Sequence, residues 1–132
     1  MRKLLFVGVV FAVFCVSAVA EDWIQTAQTG SISFYAQPGS YSITKNQGGK
    51  NVSVITAKTV DAQTTVINLE KWYVLTTDCA AKQGKIVTVT ISGEYKYEND
   101  FVFGSGSIAS TNAEFICGVQ DYVKQGYRKK SL

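Results

Sequence analysis

Three cysteines arranged around an N-terminal export signal constrain this chain more than any other feature. Arg2 and Lys3 form a short basic region and Leu4 to Val16 an apolar core. Ala18-Val19-Ala20 then has the small-x-small pattern after which signal peptidase cuts. An apolar run this short reads as a removable signal, not a membrane anchor. Cleavage after Ala20 removes Cys15 and leaves Cys79 and Cys117. Two cysteines in an exported, oxidising setting are most simply one disulfide. Their bond would close a loop of about 39 residues, for which chain entropy assigns roughly 4 kcal/mol. Ala12-Val13-Phe14 does not fit a lipoprotein processing site, where small residues precede the cysteine, so Cys15 is not expected to carry lipid.

The mature chain is long enough for one compact domain and too short for two. The domain is expected over residues 21–123, followed by a basic tail at 124–132. Removing Arg2 and Lys3 leaves eleven bases against ten acids. This balance gives no general drive toward nucleic acid or anionic membrane, and neither a nucleic-acid partner nor stable membrane insertion is expected. The tail holds Lys124, Arg128, Lys129 and Lys130. It reads first as a solvated terminus and second as a grip on acidic partners.

Thr, Val, Ile and aromatic residues dominate the middle of the chain and suit a pleated, half-buried surface. Lys85 to Tyr97 shows period-two alternation, with Val87, Val89, Ile91, Tyr95 and Tyr97 on the apolar face and Gly93 as a candidate bulge. Trp23–Thr29, Ser31–Tyr35, Val52–Lys58, Thr65–Thr77 and Phe101–Phe103 are further strand candidates. Turn signals fall at Gln37-Pro38-Gly39, Asn46-Gln47-Gly48-Gly49 and Gln83-Gly84. Tyr73, Leu75, Thr77 and Cys79 share one parity, which would bring Cys79 off its strand on the buried side. Short links between strands favour an antiparallel meander.

The helix signal comes late. Thr111-Asn112-Ala113-Glu114 fits a capping box, and Phe115, Ile116, Val119, Tyr122 and Val123 follow at helical spacing. Cys117 lies off the centre of that stripe. Either Gly118 ends the helix early and turns the face, or the cysteine reaches across from the helix flank. The fold class is therefore α+β, an antiparallel β-sheet meander packed against a C-terminal α-helix, with one disulfide.

Thr77-Asp78-Cys79, a long alternating strand, and Asn112-Ala113-Glu114-Phe115-Ile116-Cys117 form a layout that resembles the surface-adhesin protein E family of exported bacterial proteins. Trp23 at the first strand, and Ile32-Ser33-Phe34-Tyr35 leading to Gly39-Ser40, agree with it. The resemblance runs from about Trp23 to Tyr122. It implies a sheet crossed by a C-terminal helix, stapled by a disulfide, and binding of host matrix and serum proteins. Two departures stand out: no lipid-attachment cysteine, and Gln37 where an acidic residue is usual.

Enzymatic function is not expected. The chain has no histidine, which removes the commonest general base, the usual triads and most zinc sites. Glu94, Glu98 and Asp100, with Lys96 among them, read as a solvated strand face; a calcium site through Glu98, Asn99 and Asp100 is the sharper alternative. Gly104-Ser105-Gly106 reads as a turn. No cofactor or metal is expected. Trp72, Tyr73, Tyr95 and Tyr97 read as sheet packing, with a recognition surface as the alternative. The expected role is a periplasmic or secreted binding or adhesion module for extracellular protein or polyanionic ligands, such as a host matrix or cell-envelope protein. The alternative is a periplasmic structural or assembly accessory protein. Intact-mass measurement of the freshly exported protein should give residues 21–132 with no alkylatable thiol; two reactive thiols would contradict the pairing of Cys79 with Cys117.

Overall fold

The structure, a computed structural model, describes the backbone of residues 22–131 and side chains as far as Gly126. The stretch read as an export signal, its expected cleavage site and Cys15 lie outside the described residues, as do the side chains of Arg128, Lys129 and Lys130. Six strands follow one another: β1 (Ile24–Thr29), β2 (Ile32–Lys45), β3 (Asn51–Asp61), β4 (Ile67–Leu75), β5 (Gln83–Thr90) and β6 (Tyr95–Val102). A short helix, α1 (Thr76–Ala81), links β4 to β5, and a long one, α2 (Ile108–Ser131), ends the described chain. The sheet order is the chain order and every neighbouring pair is antiparallel, so the expected meander and C-terminal helix are both present. No helix among the described residues is long and apolar enough to cross a membrane.

Helix α2 touches both edge strands, β1 and β6. In a flat sheet six strands would hold those edges about 24 Å apart, more than twice the width of a helix. The sheet therefore curls round α2. Its concave face supplies Ala36, Ile55, Ala57, Trp72, Val74, Ile86 and Phe101 to the core, and the helix supplies Ala113, Ile116 and Cys117. Alanines at 36, 57 and 113 let the layers approach closely around Trp72. One polar clamp crosses the interface: Tyr41 Oη lies 2.8 Å from Ser53 Oγ, which donates to Gln120 Oε1 at 2.8 Å. Burial pushes the Tyr41 phenol above its usual pKa, the Ser53 hydrogen bond opposing and Asp121 adding to the effect.

Several local readings are corrected by these contacts. The alternating run from Lys85 to Tyr97 is a hairpin, not one strand. Thr90 N–H donates to Glu94 O, Gly93 N–H donates to Thr90 O, and Gly93 takes a φ of +98° that favours glycine. Tyr95 and Tyr97 thus belong to β6 and are exposed. The faces are also reversed: Ile86 and Thr88 lie under the helix, while Val87 and Val89 face the other way. Val87 and Val89 make the outer side of β5 the more apolar by alternation, and it is the position of α2 that buries Ile86 and Thr88 on the other. In β2, Pro38 does not turn the chain. Residues 38–41 form a bulge opposite Ile55, where proline costs no ladder bond. Ser40 Oγ repairs the ladder there, donating to Gln37 O at 2.7 Å and accepting from Thr56 N–H at 2.8 Å.

Helix α2 begins four residues before the expected capping box. Ser107 is its N-cap, accepting from Ser110 N–H at 3.1 Å, and Ser110 Oγ in turn accepts from Val102 N–H at the end of β6. Glu114 reaches instead to the Gly104 N–H in the preceding turn. The helix continues through Gly118 and on through Ser131, over the stretch read as a tail.

Cys79 lies in α1, not on a strand, and bonds Cys117 across a Cα–Cα distance of 5.5 Å. Helix α1 fits against β5 because residue 84 is glycine; a Cβ there would overlap the Asp78 side chain. Asp78 Oδ2 also accepts from Lys85 N–H. Replacing Cys79 or Cys117 by serine should lower the urea midpoint in both variants, by as much as about 4 kcal/mol in stability. Midpoints equal to that of the oxidised wild type would show that the bond is not a staple.

Candidate functional site

Both edge strands carry a one-residue bulge, and both bulges send a polar side chain onto the concave face. In β1 the register slips between Gln25 and Ala27, leaving Thr26 unpaired; in β6 it slips opposite Thr88 and Val89, leaving Lys96 unpaired. Bulges re-aim side chains at sheet edges, and these two converge on the region beside the start of α2. The Thr26 hydroxyl donates to Asn112 Oδ1 at 2.7 Å. The Lys96 ammonium donates to Glu70 Oε1 at 3.3 Å.

Between the sheet and the first turns of α2 lies a cleft of about 370 Å³. Phe34, Trp72, Thr88, Tyr97, Asn99 and Asn112 contribute to its lining, with Glu70 at the floor. Glu70 is only 1% exposed, yet both of its oxygens are held: Trp72 Nε1–H donates to Oε2 at 2.8 Å and Lys96 to Oε1. A buried carboxylate is tolerable only when paired and hydrogen-bonded in this way. The sequence reading missed Glu70. Its signal was a single acid sharing parity with Trp72 and Val74, the two β4 residues that enter the core.

The opposite, convex face is a second candidate surface. Val54, Tyr73 and Val87 form one rank across three strands, with Val52 and Leu75 beside them and Val89 next to Tyr95. Val52, Tyr73, Leu75 and Val87 line a shallow groove of about 480 Å³. Strand alternation places Ile67, Leu69, Tyr95 and Val102 on the same face, each more than half exposed. Asn46 and Asp78, the latter from α1, border that groove. Lysines are interleaved with the apolar residues, Lys58 beside Leu69 and Lys71 beside Val89. Lys58 lies 4.5 Å from the ring centroid of Trp23 and 5.4 Å from that of Tyr35. Lys85 pairs with Asp100 at 2.7 Å and Glu98 at 3.4 Å, and the Asp100 hydrogen bond leads in raising its pKa.

Those ion pairs bear on the acidic cluster. The Lys85 ammonium already occupies the space between Glu98 and Asp100, and no group of acids, cysteines or histidines among the described residues is arranged to hold a metal. The aromatic set is divided, with Trp72 buried, Tyr97 at the cleft, and Tyr73 and Tyr95 on the convex face. Lys124 is exposed on α2, near the disulfide-bonded end of the molecule. The structure does not bring it to either surface just described. No family model, curated protein or solved structure matches this chain.

The Glu70–Lys96 pair makes an asymmetric prediction. Lys96→Met strands a buried carboxylate and should cost about 2 kcal/mol, below the full buried-pair figure because Lys96 is 33% exposed. Glu70→Gln, which keeps a hydrogen-bonding group without the charge, should cost less. Urea denaturation of both variants checks the order, and the reverse order would show that the charge of Glu70 is not held by Lys96.

Proposed function

We propose that the mature chain is an exported, non-catalytic binding module that docks a partner protein on the convex face of its sheet. One observation carries the reading: that face exposes several large apolar side chains where it should be wet. An antiparallel sheet backed by a helix on one side ordinarily shows polar residues on the other. Here Ile67, Leu69, Tyr95 and Val102 stand exposed around an apolar centre in which Val52, Val54 and Val89 are buried. Exposed apolar surface of this kind, interleaved with charged side chains, suits an interaction site in a folded protein.

The lysine border adds chemistry to the choice of partner. Lys58, Lys71 and Lys85 stand among the apolar side chains, which suits a protein surface that offers apolar and acidic groups together. The resemblance to surface-adhesin protein E supports the same class of role, toward a host matrix or cell-envelope protein. A disulfide-stapled domain suits an oxidising compartment, periplasmic or extracellular. An assembly accessory role in the periplasm would use the same face and differ in where the partner resides. Lys124, Arg128, Lys129 and Lys130 stay in this reading as a secondary electrostatic contact, weakened by salt.

Biolayer interferometry of residues 21–132 against matrix, serum and cell-envelope proteins, at low and high salt, tests the proposal. At least one protein should bind. The double variant Leu69→Lys/Tyr95→Lys should lose at least about tenfold in affinity with an unchanged melting temperature, since both residues are exposed. Changing the four tail bases to glutamine should mainly reduce the salt dependence. No binding across the panel, or full affinity in the double variant, would overturn the assignment of the convex face.

A further inference from the structure

We infer that the concave cleft is a second binding site, independent of the convex face, and that it takes a neutral polyhydroxylated ring such as one sugar unit of a glycan. Charge balance selects the class of ligand. Glu70 is the buried acid of the cleft, but Trp72 and Lys96 hold its two oxygens, so no unmatched negative charge waits for a cation. Lys96 is matched by the same pair, so no free positive charge waits for an anion. Asp100 also borders the cleft, and its carboxylate is bound to Lys85.

What remains unmatched is neutral hydrogen-bonding capacity. Thr88 and Asn112 are each 4% exposed and line the cleft. The Thr26 hydroxyl occupies Asn112 Oδ1. Among the described residues no hydrogen bond engages the Thr88 hydroxyl, yet no enclosed polar atom lacks a partner. The hydroxyl therefore opens onto the cleft beside the Asn112 amide. A hydroxyl both donates and accepts and an amide does so through its two ends, which is what a ring of hydroxyls requires. Asn99 adds an amide at the rim.

The walls supply the other half of a sugar's chemistry. Phe34, Ile86 and Ile108 offer apolar surface, and Tyr97, 42% exposed, presents a ring at the mouth. A volume of about 370 Å³ lies at the small end of ligand pockets and admits one or two rings. The two bulges hold Thr26 and Lys96 in place, so Asn112 and Glu70 are fixed before any ligand arrives. Buried polar groups of this kind reject ligands that lack the matching hydroxyl.

Titration of ¹⁵N-labelled residues 21–132 with glucose, galactose, mannose, N-acetylglucosamine and N-acetylgalactosamine tests the inference, with putrescine and acetate as charged controls. At least one sugar should shift the amides of Thr88, Tyr97, Asn99 and Asn112, and neither control should do so at equal concentration. Thr88→Val, which keeps the shape and removes the hydroxyl, should weaken that sugar about tenfold. Tyr97→Ala, at an exposed ring, should weaken it similarly, with melting temperatures unchanged. Leu69→Lys/Tyr95→Lys should bind it as the wild type does, which separates this site from the convex face. A panel with no shift at these amides, preference for a charged control, or full affinity in both cleft variants would overturn the site.

Discussion

The bond between Cys79 and Cys117 ties together two helices that the sheet otherwise holds by apolar contact and a few hydrogen bonds. Helix α1 interrupts the path from β4 to β5, and α2 must lie across a sheet that curls to meet it. Joining them fixes where α2 sits relative to the central strands. That placement decides which side chains are core and which border a cleft. Gly84 is part of the same constraint, because only a residue without a side chain lets Asp78, and hence α1, approach β5. Against the roughly 5–15 kcal/mol typical of a folded domain, a staple closing a loop of about 39 residues is a major contributor.

Curling has consequences at the edges. Strands β1 and β6 both approach α2, and both are bulged at the point of approach. A bulge increases local twist and frees one side chain from the alternation. Thr26 and Lys96 are those freed residues, and each satisfies a buried polar group, Asn112 or Glu70. The bulges also spoil the edges as templates for further strands, as do the charged residues of β6. The proposed binding accordingly uses the faces of the sheet and not strand addition at β6.

The two faces differ in kind. The concave side holds a small, half-open cleft, polar at its floor, with hydrogen-bonding groups set in fixed positions. The convex side is broad and mixes exposed apolar side chains with lysines. A small ligand suits the first and a protein surface the second. The thickness of the sheet separates the two proposed sites, since Leu69 and Tyr95 project from the face opposite to that of Thr88 and the cleft.

Much of the architecture was legible in the residues. The cysteine pair, the run of β-branched and aromatic residues, the short links and the late helical spacing of Phe115, Ile116 and Val119 led to the meander, the C-terminal helix and the disulfide. Such features are local or depend on counting. Three others were not legible, each for a physical reason. The face of β5 that packs on α2 could not be read because Ile86 and Val87 are both apolar, and only the position of the helix distinguishes them. Pro38 reads as a turn until Ser40 is seen to repair the ladder through Thr56. Cys79 reads as the end of a strand because six helical residues are too few to show a period. The sequence by itself determined the composition of the layers and the covalent link between them. Tertiary structure alone decided which face is covered and brought Glu70 and Lys96, 26 residues apart, into one ion pair, because sheet curl and bulges act between strands distant in the chain.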